Sequence, residues 1–213
     1  WTMPEIMLAF SINSAIGPIP MILGGYFADK GWVKWSISIG ALLFAVGFYL
    51  TGTATSLAQL YLYYGVIAGL GQGFAYSGCL SNTLRLFPDK RGLASGIITG
   101  GMGLAAVFAS PIGNSLIMKD GAQYAFRTIG LAYIIIVLVA SFFIKKAPAG
   151  YKPAGWNPPE QATGKSMVNK NWLEMLKTPV FYVVISMFFV GAFSGLMIAA
   201  NARTIGTSMF GLS

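Results

Sequence analysis

Histidine is absent from this chain of 213 residues, cysteine occurs once, and only 9% of the residues are charged. The lone Cys79 falls inside an apolar run, which argues against a disulfide framework or a cysteine metal cluster. A soluble domain carries about a quarter charged residues, so the shortage of charge argues against a soluble fold. No nucleophile–base pair or phosphate-binding loop is recognisable either, and we expect no enzyme, no catalytic residue, no cofactor and no metal.

Long apolar runs are what the chain has instead, and its mean hydropathy is +0.67. Blocks of about 20 apolar residues, at about 1.5 Å per helical residue, are long enough to cross roughly 30 Å of hydrocarbon. Because backbone groups in lipid must be hydrogen-bonded within the segment, these blocks are expected to be helices. The sequence therefore predicts an all-α integral membrane protein in contact with the lipid bilayer.

Six transmembrane helices are predicted, at about residues 6–28, 35–53, 57–86, 92–118, 124–144 and 180–202. They divide the chain into a bundle of five spans (residues 1–145), a central connection (146–179) and the first helix of a C-terminal half (180–213). Pro18 and Pro20 predict a kink in the first span. Because the chain begins at Trp1 without methionine and ends on apolar residues, we expect it to be a piece of a longer protein.

The 14 Lys and Arg residues are distributed unevenly among the connections. The connections after the first, third and fifth spans hold 11 of them, whereas the opposite side holds Lys119 and Arg127. Cytoplasmic loops retain Lys and Arg, so the side with 11 is predicted to be cytoplasmic and Trp1 to lie outside. The net charge of +8 is thus explained by membrane topology, and no nucleic-acid partner is expected.

The central connection has two compositions. Its first part, APAGYKPAGWNPP, is rich in proline and glycine and is predicted to be extended. From about Ser166 to Lys177, apolar residues recur at helical spacing, namely Val168, Trp172, Met175 and Leu176. This pattern predicts a short amphipathic helix, which either lies on the cytoplasmic membrane surface or links the spans by packing on the bundle.

Glycine recurs at about four-residue spacing on two of the spans. The third span carries Gly65, Gly69 and Gly73, and the fourth carries Gly92, Gly96, Gly100 and Gly103. Such stripes let helix backbones approach closely in lipid. They are compatible with plain helix packing and also with helices that slide or rock against their neighbours.

The turn after the first span reads GYFADKGWVK. This pattern resembles the loop signature of the major facilitator superfamily, although it is one residue shorter than usual. The resemblance implies that Asp29 is a latch acid that pairs with cations of neighbouring helices. It also implies that Gly25 is a close-packing residue and that Lys30 and Lys34 are loop cations. The alternative is a helix-ending turn with ordinary cytoplasmic positive charge.

A second charged turn, RLFPDKRGLASGI, follows the third span. Together with GLGQGFAYSG, APAGYKPAGWNPP and WLEMLKTPVFYVVISMFF, it resembles the oxalate/formate antiporter family, a monocarboxylate-transporter-like branch of the same superfamily. The resemblance implies a transporter of small organic anions that works by alternating access. It also implies that this chain corresponds to helices two to seven of twelve, with the remainder of the protein as a partner. Two alternatives remain: a facilitator for a sugar, drug or nucleoside, and a membrane sensor of the same fold without transport.

The charged residues of this second turn complete a predicted conformational latch, a set of contacts that holds one conformation of the protein. We expect Asp29 and Arg85 to face each other across the first and third spans. Asp89 could cap the next helix, because a helix N-terminus favours an anion. The full set of latch candidates is Gly25, Asp29, Lys30, Lys34, Arg85, Asp89, Lys90 and Arg91.

No Asp, Glu, Lys or His lies in the middle of a predicted span. The third span reads Gly69-Leu70-Gly71-Gln72-Gly73 where many facilitators have Arg-x-x-Gln-Gly, so the arginine is missing. Proton relays need buried titratable groups. This part of the chain is therefore not expected to couple transport to protons.

Neutral polar residues remain as candidates for the wall of a substrate cavity. Gln72, Tyr76 and Thr83 share one face of the third span, and Asn13 lies in the first. Such residues either form interhelical hydrogen bonds or line a cavity, and the resemblance to a family with an aromatic carboxylate cage favours Tyr76. Arg203, at the end of the last span, either attracts anions at the outer mouth or anchors the helix at the interface.

Overall fold

A computed structural model describes residues 1–148, 151, 153 and 172–210, and the side chains of 172, 196 and 199–210 lie outside that description. Regular structure within these residues is helical. Contacts divide the chain into two compact units, Trp1–Pro158 and Pro159–Ser213, and each is described by itself.

The first apolar helix of the chain has two parts. α1 spans Met3–Ile16 and α2 spans Pro18–Asp29, with Gly17 between them. Pro18 and Pro20 lack the backbone N–H that would continue the hydrogen-bond ladder, yet Gly17 keeps helical dihedral angles (φ −46°, ψ −44°). The prolines therefore divide α1 from α2 by a local loss of hydrogen bonding within a helical path, and the kink stays a prediction.

Two further helical stretches follow. α3 spans Val33–Thr51. The next stretch begins as α4 (Leu57–Leu60), widens into a π-helical segment, π1 (Tyr61–Ala68), and continues as α5 (Gly69–Leu86). π-Helical turns are rare and locally disturb the hydrogen-bond ladder, so the predicted third span is continuous in space but not regular in pitch.

α6 spans Arg91–Phe143, a length of 53 residues that would measure about 80 Å if straight. Gly121 breaks it, with φ 84° and ψ 169°, a backbone conformation open essentially to glycine alone. A Cβ placed on Gly113 would lie 3.8 Å from the Ile129 side chain, so residues on either side of the break contact each other. α6 is therefore a helical hairpin, in agreement with the separate fourth and fifth spans of the prediction.

Glycine lets α5 approach its neighbours more closely than any side chain would permit. A Cβ on Gly71 would lie 2.6 Å from Gly40 O of α3, and one on Gly73 would lie 2.7 Å from Gly17 O. Gly65 and Gly69 face α1 in the same way. Close packing by the glycine stripe of the third span is thus confirmed.

Among the described residues, the glycine stripe of the fourth span has no such partner. A Cβ built on Gly92, Gly96, Gly100 or Gly103 meets no atom within 4 Å in the part of the chain that the structure describes. Its spacing is the same as in the third span, so spacing identifies a smooth helix face but not what covers that face.

Three helical stretches among the described residues are long and apolar enough to cross a membrane, namely Met3–Asp29, Val33–Thr51 and Arg91–Phe143. The second unit contains α7 (Trp172–Leu176) and α8 (Pro179–Phe210). α7 covers the end of the predicted amphipathic helix, whose beginning lies outside the described residues. The predicted sixth span falls within α8, whose first part, Pro179–Gly195, is a shorter apolar helix.

Candidate functional site

The end of the first unit at which α2 stops and α5 stops, which we call the charged end, carries the predicted ion pair. Arg85 lies in the last turn of α5, and its Nη2 atom is 2.5 Å from Asp29 Oδ1. Its Nη1 atom donates to Ala28 O at 3.3 Å. One guanidinium therefore holds both the side chain and the backbone at the C-terminus of α2, where a cation also complements the helix dipole.

Exposure sets the strength of this pair. The side chains of Arg85 and Asp29 are 42% and 72% exposed. Ion pairs in water are screened and contribute about 0–1 kcal/mol. The contact thus fixes the relative position of two helix ends, and little free energy is needed to break it.

The other candidate residues of the first loop do not take part in the ion pair between Asp29 and Arg85. Lys30 Nζ lies 4.6 Å from the centre of the Tyr26 ring, a cation–π contact, and Lys34 is exposed. The role of Gly25 as the close-packing residue stays a prediction, because a Cβ there would meet nothing within 4 Å among the described atoms. Gly24 packs against Phe74 of α5 instead, since one residue along a helix turns the side-chain direction by about 100°.

The second charged loop leads from α5 into α6. The prediction that Asp89 caps the following helix is wrong: Lys90 occupies the N-cap position, and no side chain caps this terminus in the described structure. The helix begins at Arg91, one residue before the predicted start at Gly92, and Arg91 is exposed. Asp89 and Lys90 instead contribute to the wall of a cavity of about 490 Å³, whose apolar lining includes Leu86 and Leu93.

Two of the cavity candidates lie on the face of α5 towards α6. The Tyr76 hydroxyl is 3.4 Å from Thr99 Oγ1 of α6, and either group could be the donor. Thr83, two turns further on, lines the 490 Å³ cavity. Gln72 is exposed. Tyr76 and Thr83 therefore lie between α5 and α6, and Gln72 lies on an open part of α5.

Asn13 has a different environment from these three. It is 8% exposed, and its Nδ2 donates to Tyr64 O at 2.8 Å. Tyr64 lies in π1, whose hydrogen-bond ladder departs from the regular α-helical pattern. Asn13 thus satisfies the backbone of a neighbouring helix, which leaves Gln72, Tyr76 and Thr83 as the cavity candidates. The side chain of Arg203 lies outside the described part of α8.

The end of the unit opposite the charged end has polar contacts that the sequence did not indicate. Arg127 Nε donates to Gly52 O at 2.8 Å, and Gln123 Nε2 donates to Ala54 O at 3.2 Å. Both side chains come from the second arm of α6 and hold the short connection after α3. Arg127 thus has a specific backbone partner, where its sequence position indicated only a loop cation.

Asn82 is a second residue that the sequence did not single out. It is 7% exposed in α5, and its amide bonds the backbone of Lys145 and Ala147 just after α6. A neutral amide gives no sequence signal for its partner. Its position at three residues before Arg85 was the available hint, because residues so spaced share a helix face.

Apolar helices long enough to cross a membrane, packed together with the Asp29–Arg85 ion pair at one end, are those of an integral membrane protein. The chain belongs to the Major Facilitator Superfamily, whose family model matches residues 1–213. Members of this family are transporters and not enzymes.

Several relatives match along the chain. It is 31% identical to the oxalate:formate antiporter of Oxalobacter formigenes over 98% of this chain and 48% of that protein. It is 26% identical to an uncharacterized MFS-type transporter of Escherichia coli K12, over 96% of the chain and 49% of the relative. Monocarboxylate transporter 12 of mouse is 35% identical over 56% of the chain and 25% of its own length. The chain thus spans about half the length of the first two relatives.

Proposed function

We propose that this chain is part of a secondary transporter that exchanges small carboxylates, of the oxalate, formate or lactate type, by alternating access. The observation that carries the proposal is the 31% identity to an oxalate:formate antiporter over 98% of the chain. The similarity to a monocarboxylate transporter supports the same substrate class. Transporters of this kind bind substrate near the membrane midplane between two halves that rock against each other.

The proposed topology has six spans, with the two arms of α6 counted separately, in a multi-pass protein of the cell membrane. The charged end faces the cytoplasm, as does the connection of residues 146–179. Positively charged residues support this orientation, because Lys30, Lys90 and Lys146 all belong to that end. The remainder of the protein would supply the other wall of the substrate site.

The face of α5 towards α6 is the proposed cavity wall. Tyr76 offers a hydroxyl donor and an aromatic ring, and Gln72 and Thr83 offer uncharged polar groups. Such groups can orient a carboxylate by hydrogen bonds without a fixed counter-charge. The cation that neutralises the substrate would then come from outside this chain or from Arg203, whose alternative role is to anchor α8 at the outer interface.

The ion pair between Asp29 and Arg85 is the proposed conformational latch. A latch must break and re-form in each transport cycle, so a weak exposed pair suits this role better than a buried one, whose rupture costs several kcal/mol. The guanidinium also bonds Ala28 O, which keeps the two helix ends aligned. Lys30, Lys34, Lys90 and Arg91 would set the positive potential around the latch.

Counterflow in liposomes tests this function. The full-length protein is reconstituted, loaded with oxalate, formate, lactate or a neutral sugar, and given labelled substrate outside, with and without a protonophore. Carboxylate exchange that survives the protonophore is expected, because no span of this chain offers a mid-membrane carboxylate or histidine. Exchange of the sugar alone, or no exchange of any anion, would contradict the proposed substrate class.

A further inference from the structure

The five residues after α6 run back across the charged end of the first unit, and we call Ile144–Pro148 the strap. The helix ends with Ile144 in an extended conformation (φ −69°, ψ 114°). Ile144 packs against the buried cluster of Ala28, Val33 and Ile37 at the turn between α2 and α3. Ala147 is 5% exposed. The strap is therefore packed on the bundle at Ile144 and Ala147, whereas Lys145, Lys146 and Pro148 are exposed.

Asn82 clamps the backbone of the strap from the α5 side. Its Nδ2 donates to Lys145 O at 3.0 Å, and its Oδ1 accepts from Ala147 N at 3.0 Å. The amide thus pairs with the strap in the way that a neighbouring strand would, through one donor and one acceptor. A buried amide whose two groups are both satisfied specifies one position of its partner.

The strap also covers the turn that follows Asp29. A Cβ built on Gly31 would collide with Lys146 Nζ and would lie 3.2 Å from its Cε, so the Lys146 side chain lies directly over Gly31. Gly31 has φ 87°, and because it lacks a side chain it leaves room for the side chain of Lys146. The ammonium group lies beside the C-terminus of α2, where the helix dipole favours a cation.

Asn82 and Arg85 are three residues apart and share one face of α5. Arg85 holds the end of α2 through Asp29 and Ala28, and Asn82 holds the strap that packs on the same end of α2. We propose that Asn82 is a positioning residue for transport: it fixes the strap over the α2–α3 turn and thereby keeps Asp29 in register with Arg85. Its effect on transport rests on the proposed function, whereas the fastening of the strap does not.

Amide hydrogen exchange of the full-length protein in lipid nanodiscs tests the fastening. Asn82→Leu removes both hydrogen bonds, and Asn82→Asp keeps an acceptor for Ala147 N but loses the donor to Lys145 O. We expect exchange at Ala147 to accelerate about tenfold in Asn82→Leu and by less in Asn82→Asp. Asn114→Leu, the same change at an exposed position of α6, should leave this exchange unchanged.

Two results would overturn the fastening. One is unchanged exchange at Ala147 in Asn82→Leu, and the other is an equal acceleration in all helices, which would mean general destabilisation. Asn82→Asp guards against the second result, because it keeps one bond and a polar group at the same place.

Counterflow of the same variants tests the positioning role. We expect Asn82→Leu to lower the maximal exchange rate about tenfold with KM unchanged, because latch geometry and not substrate contact is altered. A raised KM at an unchanged rate, or a wild-type rate despite a loosened strap, would overturn it. If the wild-type protein exchanges no carboxylate, the proposed function fails, and hydrogen exchange still decides whether Asn82 fastens the strap.

Discussion

Asp29 and Arg85 allow a test at the scale of single side chains. Either Asp29→Arg or Arg85→Asp leaves two like charges at the position of the 2.5 Å contact. We expect each single change to lower counterflow about tenfold, or by about 1.4 kcal/mol, because a weak attraction is replaced by a repulsion of similar size. The double exchange, Asp29→Arg with Arg85→Asp, restores opposite charges and should recover most of the transport.

Lys119→Asp is the matched control for the charge swap, because Lys119 is exposed beside the turn of α6 and lies outside the proposed latch. It changes net charge by the same amount and should have a much smaller effect. A double exchange as inactive as the single variants would contradict the latch, because opposite charges would be restored without restoring transport.

Residue pairs could be anticipated from the sequence only where charge indicates the partner. Asp29 and Arg85 were expected to face each other across the first and third spans, and they form an ion pair. Asn82 and Asn13 also form hydrogen bonds with distant backbone groups. Because an amide can donate or accept, the residue type does not indicate which partner it will have. Arg127 was assigned to a loop, and its bond to Gly52 O depends on how α6 folds back.

At the scale of elements, alanine substitutions at glycines of α5 and α6 are expected to have opposite effects. Gly71→Ala places a Cβ against the backbone of Gly40 in α3, and overpacking of this kind costs about 1–3 kcal/mol. Gly100→Ala meets nothing within 4 Å in the described structure and should be neutral or stabilising by about 0.5–1 kcal/mol. Thermal unfolding in detergent measures both.

Equal losses at Gly71 and Gly100 would contradict this contrast. They would mean that the stripe of the fourth span is covered by a part of the protein outside the described residues. The glycine spacing indicated both stripes equally, because spacing reports a helix face and only the tertiary arrangement supplies the opposing backbone.

The break in α6 gives a second prediction for an element. Gly121 has φ 84° and ψ 169°, a conformation that costs a residue with a side chain about 1–3 kcal/mol. Gly121→Ala should lower the melting temperature, and Gly101→Ala, in a helical part of α6 with no atom within 4 Å, should not. An unchanged melting temperature for Gly121→Ala would mean that the turn does not need glycine.

At the scale of the whole molecule, the class of protein and the approximate limits of the helices were predictable, because the length of an apolar run decides whether it can cross a bilayer. The π-helical segment Tyr61–Ala68 was not, since its sequence is as apolar as a regular helix. Within this segment Tyr64 O accepts a hydrogen bond from Asn13 of another helix, a tertiary contact that the sequence pattern does not indicate.

Orientation in the membrane is the prediction that belongs to the whole molecule. With Cys79→Ser as the background, a single cysteine is placed at Lys119, beside the turn of α6, or at Lys90, at the charged end. Because Lys and Arg concentrate at the charged end, it should remain in the cytoplasm. A membrane-impermeant maleimide added to intact cells should therefore label position 119, and position 90 only after the membrane is permeabilised. The reverse pattern would invert the topology, and labelling of both in intact cells would mean that α6 does not cross the membrane twice.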